Sequence, residues 1–65
     1  PPYALADAEI DATLAALAAT GWLARGAVLI VERSSRGAGP SWPDGILPGR
    51  ARRYGEGTLW YGRSS

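Results

Sequence analysis

The chain begins with Pro1-Pro2-Tyr3, where rigid backbone is joined directly to a flat aromatic ring. Proline fixes φ at about −65° and offers a carbonyl but no N–H, so consecutive prolines aim an acceptor in a set direction. A tyrosine immediately after them places a stacking surface beside that acceptor. A pocket that receives an extruded aromatic base uses the same two features. The tripeptide is also compatible with a short polyproline start carrying a surface tyrosine. A second group of chemistry-bearing residues lies further on, where an apolar run ends in Glu32 and is followed by Arg33 and Arg36. Nothing near Glu32 in the sequence builds a proton relay, so it reads as a polar strand end reaching water. Arg33 and Arg36 have the type and loop placement to meet nucleic-acid phosphate, and a solvated loop explains them equally well.

Composition limits the chemistry further. The chain has 65 residues and neither cysteine nor histidine, which removes disulfides, thiolate catalysis and the usual zinc ligands. No metal site is expected, and the lack of cysteine fits a cytoplasmic protein. A domain of this length buries only about 60% of its unfolded surface, so its core is marginal. No charged-then-apolar leader and no long apolar span is present, and no membrane association is expected. Net charge is +1, but it is unevenly spread. Asp7, Glu9, Asp11 and Glu32 face only Arg25 in the first half. In the second half Arg33, Arg36, Arg50, Arg52, Arg53 and Arg63 face only Asp44 and Glu56, a basic excess suited to phosphate. Every cation is arginine, which together with the alanine content points to a GC-rich coding bias.

The elements that must position these residues follow in order. Asp7 is a suitable N-cap, and Glu9 and Asp11 suit the positive end of a helix dipole. Residues 8–19 are strong helix formers with Ile10, Leu14 and Leu17 along one face. Gly21 closes this helix in the left-handed conformation, which predicts Trp22 packed back on Leu17 as a core residue. The unbroken apolar run 27–31 is too short for a helix and reads as a strand covered on both faces, as in a parallel α/β sheet. One helix does not supply two covering layers, so the pattern asks for further protein and predicts an unpaired edge on that strand. Residues 34–49 form a long Ser/Gly/Pro-rich loop, in which Trp42 is either a plug on the core, the reading preferred, or a surface contact. Residues 50–54 and 58–63 flank Gly55-Glu56-Gly57 as a β-hairpin, antiparallel to the remaining sheet. Arg52 and Arg53 point to opposite faces, so only part of the arginine cluster can meet one surface.

On these residues the chain resembles a known family. Pro1-Pro2-Tyr3 is similar to the end of the (Asp/Asn)-Pro-Pro-(Tyr/Phe) motif of amino-group methyltransferases that use S-adenosylmethionine. In that family the motif follows the fourth strand of a Rossmann-like sheet and precedes a helix, a fifth strand and a terminal hairpin. Gly21-Trp22-Leu23, the Val31-Glu32 strand end and the hairpin are further similar to RsmD-type methyltransferases, which modify the guanine N2 amine of small-subunit ribosomal RNA. The resemblance spans nearly all 65 residues. It implies an α/β fold, residues 1–65 being the C-terminal portion of one catalytic domain with no internal boundary. The family's acidic residue or Asn before the prolines and its glycine-rich cofactor motif are not in this sequence, so the chain by itself is expected to be inactive.

The resemblance implies a catalytic set of Pro1, Pro2 and Tyr3, with Tyr3, Arg33 and Arg36 as RNA contacts and S-adenosylmethionine as the cofactor of the parent enzyme. The Pro1 carbonyl would hold an amine N–H, directing its lone pair, and Tyr3 would stack on the base. The implied partners are small-subunit ribosomal RNA or the assembling subunit, and the N-terminal part of the same domain. Two other readings stay open. One is an adenine-N6 DNA or RNA methyltransferase, because the tripeptide serves either amine. The other is a non-catalytic module in which the prolines are a polyproline ligand and the arginine-rich hairpin binds nucleic acid.

Overall fold

The computed structural model of the chain describes residues 2–65, with side chains from residue 6 onward. A long helix, α1 (Pro2–Thr20), is followed by three strands, β1 (Val28–Ser34), β2 (Ile46–Tyr54) and β3 (Gly57–Ser64). The sheet order is β1-β3-β2, and both neighbouring pairs are antiparallel. The last strand therefore lies in the middle, and β1 and β2 run parallel to each other on either side of it.

The helix begins earlier than an Asp7 cap allows. Proline is tolerated in a first helical turn because its missing N–H would have no partner there, and Ala4, Leu5 and Ala6 do nothing to stop the helix. Asp7 is thus an interior helical residue and not an N-cap. Ile10, Leu14 and Ala18 pack toward the sheet at successive intervals of four. Gly21 has φ of 72°, the left-handed conformation expected after a helix end. Trp22 departs from expectation: it is 81% exposed, and Leu23 packs on the core instead.

The strand expected to be buried on both faces is covered on one. Leu29, Val31 and Arg33 alternate inward, while Val28 and Ile30 are more than half exposed on the other side. The physical reason is the single helix, which shields one face of the sheet only. The strand also continues past Glu32, because β3 pairs with every residue from Val28 to Ser34. Among the described residues the second edge of β1 has no partner strand, as expected.

Leu14, Val31 and Ile46 form the buried core, and Trp42 and Trp60 pack beside them. Trp42 is thus the expected plug. Its ring lies over Gly62, where an added Cβ would come within 2.7 Å, and Trp60 lies over Gly39 at 2.8 Å by the same measure. Strand β2 starts four residues before the expected hairpin arm, with an irregularity between Pro48 and Ala51. A proline is acceptable there because β2 is an edge strand. The β2–β3 connection is a two-residue turn, Gly55-Glu56, in which Gly55 has φ of 61° and Glu56, like every other non-glycine among the described residues, has negative φ. These signs fit a type II′ turn, whose twist matches the strands it joins.

Candidate functional site

Because β1 and β2 point the same way, their carboxyl ends arrive together. Ser34 and Tyr54 both lie opposite Gly57 of the central strand. The start of α1 reaches the same end of the molecule through Asp7 and Asp11, which meet Arg33 of β1. Asp7 is five residues after Pro2, so the helix start extends about 7.5 Å beyond it at 1.5 Å per residue. Carboxyl ends of strands are where open α/β sheets bind ligands. Helix start, strand ends and hairpin turn thus surround one edge of the fold.

Arg33 organises this edge from inside. It continues the inward parity of Leu29 and Val31, and its side chain is only 4% exposed. Its Nη2 donates to Asp11 Oδ1 and to the carbonyl of Asp7 at 3.0 Å, and its Nη1 donates to the carbonyl of Gly39 at 2.9 Å. Its Nε lies 3.5 Å from Asp7 Oδ1 but makes no well-directed hydrogen bond. The Ser41 N–H also donates to Asp11 Oδ1, at 3.1 Å. One guanidinium therefore ties the helix, the strand and the long loop together, with its donors turned inward and away from any external phosphate.

The other sequence-selected residues are placed differently. Pro1 and the side chains of Pro2 and Tyr3 lie outside the described residues, and the backbone of Pro2 and Tyr3 belongs to the first turn of α1. Arg36 is well exposed, with only a 4.0 Å contact to the equally exposed Glu56. An exposed pair of this kind contributes little stability, so Arg36 is available to an external anion. Glu32 is exposed on the open face of the sheet and reaches water, but from within β1 and not from its end, since pairing with β3 carries the strand on to Ser34. Nearby, Ser35 and Thr58 share a 2.7 Å hydroxyl hydrogen bond, and Ser35 N–H donates to the Glu56 carbonyl at 2.7 Å. These bonds fix the loop exit against the hairpin turn.

Sequence reasoning treated Asp7 and Asp11 as capping and dipole residues and missed their link to Arg33. A usable signal was present: two carboxylates one helical turn apart, and an arginine at the inward-facing parity of a strand. The open face also gathers residues that were not singled out as a site. Arg50 lies over the Tyr61 ring at 5.7 Å from its centroid, and Arg52 over Tyr54 at 5.3 Å. Among the described residues no His, Cys, Asp or Glu cluster capable of holding a metal occurs, and no helix is long and apolar enough to cross a membrane.

One helix laid on one face of a three-stranded sheet, with its start brought to the strand ends, is compatible with part of a methyltransferase fold. The family model described as Conserved hypothetical protein 95 matches residues 1–63. The chain belongs to that family, whose members are RsmD-like methyltransferases. No curated protein matches the chain.

Proposed function

We propose that the chain is the C-terminal part of a Rossmann-like, S-adenosylmethionine-dependent methyltransferase domain acting on the exocyclic N2 amine of a guanine in small-subunit ribosomal RNA. The family match over residues 1–63 carries this reading. The convergence of the α1 start with the ends of β1 and β2 supports it. The described residues do not form a cradle for the cofactor. Grooves among the described residues lie on the open sheet face and along α1, and the buried Arg33 is already occupied. The rest of that site belongs to the N-terminal part of the same domain, which is also this segment's partner.

In this reading the residues of the chain orient the acceptor base. An exocyclic amine is a weak nucleophile because its lone pair is delocalised into the ring. The Pro1 carbonyl accepts one N–H of the amine and so directs the lone pair, while Tyr3 stacks on the extruded base. Arg36, exposed beyond β1, contacts RNA phosphate.

The test is transfer of an isotope-labelled methyl group to small-subunit ribosomal RNA, followed by digestion to nucleosides. The 65-residue chain alone is expected to transfer nothing. The chain joined to its N-terminal part is expected to yield N2-methylguanosine. N6-methyladenosine would replace guanine by adenine as the substrate base, and RNA binding with no transfer would favour a non-catalytic module.

A further inference from the structure

We infer that Arg33 is a positioning residue for methyl transfer, a role that rests on the methyltransferase reading above. Its buried guanidinium sets the start of α1, which carries the base-receiving tripeptide, against the end of β1, beyond which Arg36 meets phosphate. The bonds involved lie between α1, its loop and the covered face of the sheet, so protein packed on the open face does not displace them.

Residue 33 continues the inward parity of Leu29 and Val31, where an apolar side chain would fill the space and slide against the helix, because apolar contact has no direction. A guanidinium cannot slide. Its Nη2 donates both to the Asp7 carbonyl and to the Asp11 carboxylate, one helical turn apart, while its Nη1 donates to the Gly39 carbonyl. Bonds from a planar fork are directional, so they fix α1 both along and around its axis. A buried ion pair contributes little net stability, and fixing register is the use best attested for one.

The placement matters because the helix start is the end of a lever. At 1.5 Å per residue Pro2 lies about 7.5 Å from Asp7, whereas Ile10 and Leu14, the next side chains of α1 packed at the core, lie about 12 and 18 Å from it. A tilt of about 5° moves the start by about 0.7 Å when the pivot is Asp7 and by about 1.6 Å when it is Leu14. A displacement of about 1 Å is enough to slow a reaction about a hundredfold.

Arg36 is held by other bonds. Its N–H donates to Ser34 Oγ at 3.3 Å, and the adjacent Ser35 is bonded to the Thr58 hydroxyl and the Glu56 carbonyl. Loss of Arg33 therefore leaves the phosphate contact beside β1 and frees the helix start. The base of a bound nucleotide then loses its fixed spacing from the phosphate.

Steady-state methylation of small-subunit ribosomal RNA by the full-length protein tests this role, with rates expressed per mole of bound S-adenosylmethionine so that only folded protein is counted. Arg33→Met is expected to lower kcat by about ten- to a hundredfold while KM for the RNA stays within about twofold. Arg33→Lys keeps the charge opposite Asp11 but lacks the fork that reaches Asp7 and Gly39 together, and it is expected to lower kcat by about tenfold. Wild-type kcat in either variant overturns the inference, as does a loss confined to KM. Amide hydrogen exchange, measured without RNA or cofactor, is expected to be about tenfold faster at residues 6–8 in Arg33→Met and unchanged in β3. Equal exchange at residues 6–8 overturns the inference whether or not the wild type methylates. Wild-type protein that never methylates, with exchange that quickens as described, removes the proposed activity and leaves the placement of α1 by Arg33 standing.

Discussion

Asp11 of α1 accepts from Arg33 of β1 and, through the same Oδ1, from the backbone N–H of Ser41. A single carboxylate oxygen thus holds together a helix, a strand and a loop that are far apart in the chain. The two ends of this ion pair differ in exposure, 4% for the Arg33 side chain and 29% for Asp11. Removing the acids strands a buried cation, whereas removing the arginine leaves carboxylates that can reach water. Asp7→Ala/Asp11→Ala is therefore expected to cost about 3 kcal/mol, and Arg33→Met only about 1–2 kcal/mol. Urea denaturation of the two variants checks the order. A larger loss for Arg33→Met would mean that the guanidinium contributes net stability.

Gly39 and Gly62 are held by aromatic rings and not by unusual backbone angles. All three nearest neighbours of an added Cβ at Gly39 belong to the Trp60 indole, at 2.8 Å. At Gly62 the Trp42 ring is joined by Ile46 Cγ2 at 2.9 Å. Gly39→Ala and Gly62→Ala are each expected to cost about 1–3 kcal/mol by overpacking. Trp60→Phe shortens the ring that obstructs residue 39 and also removes an indole N–H that is buried without a partner. The double variant Gly39→Ala/Trp60→Phe should accordingly be more stable than the sum of the single losses, with coupling of about 1 kcal/mol in thermal denaturation. Simple additivity would show that the loop moves away from the ring instead.

Gly55 tests backbone conformation separately from packing. Its φ is 61° and no atom lies within 4 Å of an added Cβ. Any cost of substitution there arises from the turn itself. The first central position of a type II′ turn has ψ of about −120°, outside the left-handed helical region that Asn favours, so only glycine is at ease there. Gly55→Asn and Gly55→Val are thus both expected to lose more than about 1 kcal/mol, read from chemical denaturation. A loss for Gly55→Asn well under that of Gly55→Val would argue against the type II′ assignment.

The features legible in the sequence were those fixed by local backbone chemistry. Gly21 ended the helix, the glycine-containing turn made a hairpin, and Trp42 among turn residues became a plug, because each depends on a few neighbouring residues. What was not legible depends on long-range partners. Asp7 has good N-cap chemistry, but an uninterrupted helical sequence before it let the helix start at Pro2. Trp22 has a core side chain in a core-like motif, yet Leu23 took the inward position. Arg33 looked like a loop cation because its two carboxylates lie 22 and 26 residues away. At the candidate site, the convergence of strand ends followed from the expected order of elements, whereas the arginine that fixes the helix start did not.

The apolar run that first suggested a doubly covered strand has a consequence for the 65-residue chain in solution. Val28 and Ile30 are 54% and 57% exposed, and the outer edge of β1 has no partner strand among the described residues. An uncharged, β-prone segment with a free edge is a template for pairing with another chain. The isolated chain is therefore expected to associate increasingly with concentration in sedimentation velocity. Ile30→Lys adds charge on the open face, opposite Tyr61 in the register and away from Leu14 and Val31. It should suppress association while changing stability by less than about 0.5 kcal/mol, as expected for a surface substitution. Association that persists in Ile30→Lys would shift the contact from this strand to another surface. Loss of folding in the variant would mean that Ile30 is packed inward and that β1 has the opposite parity.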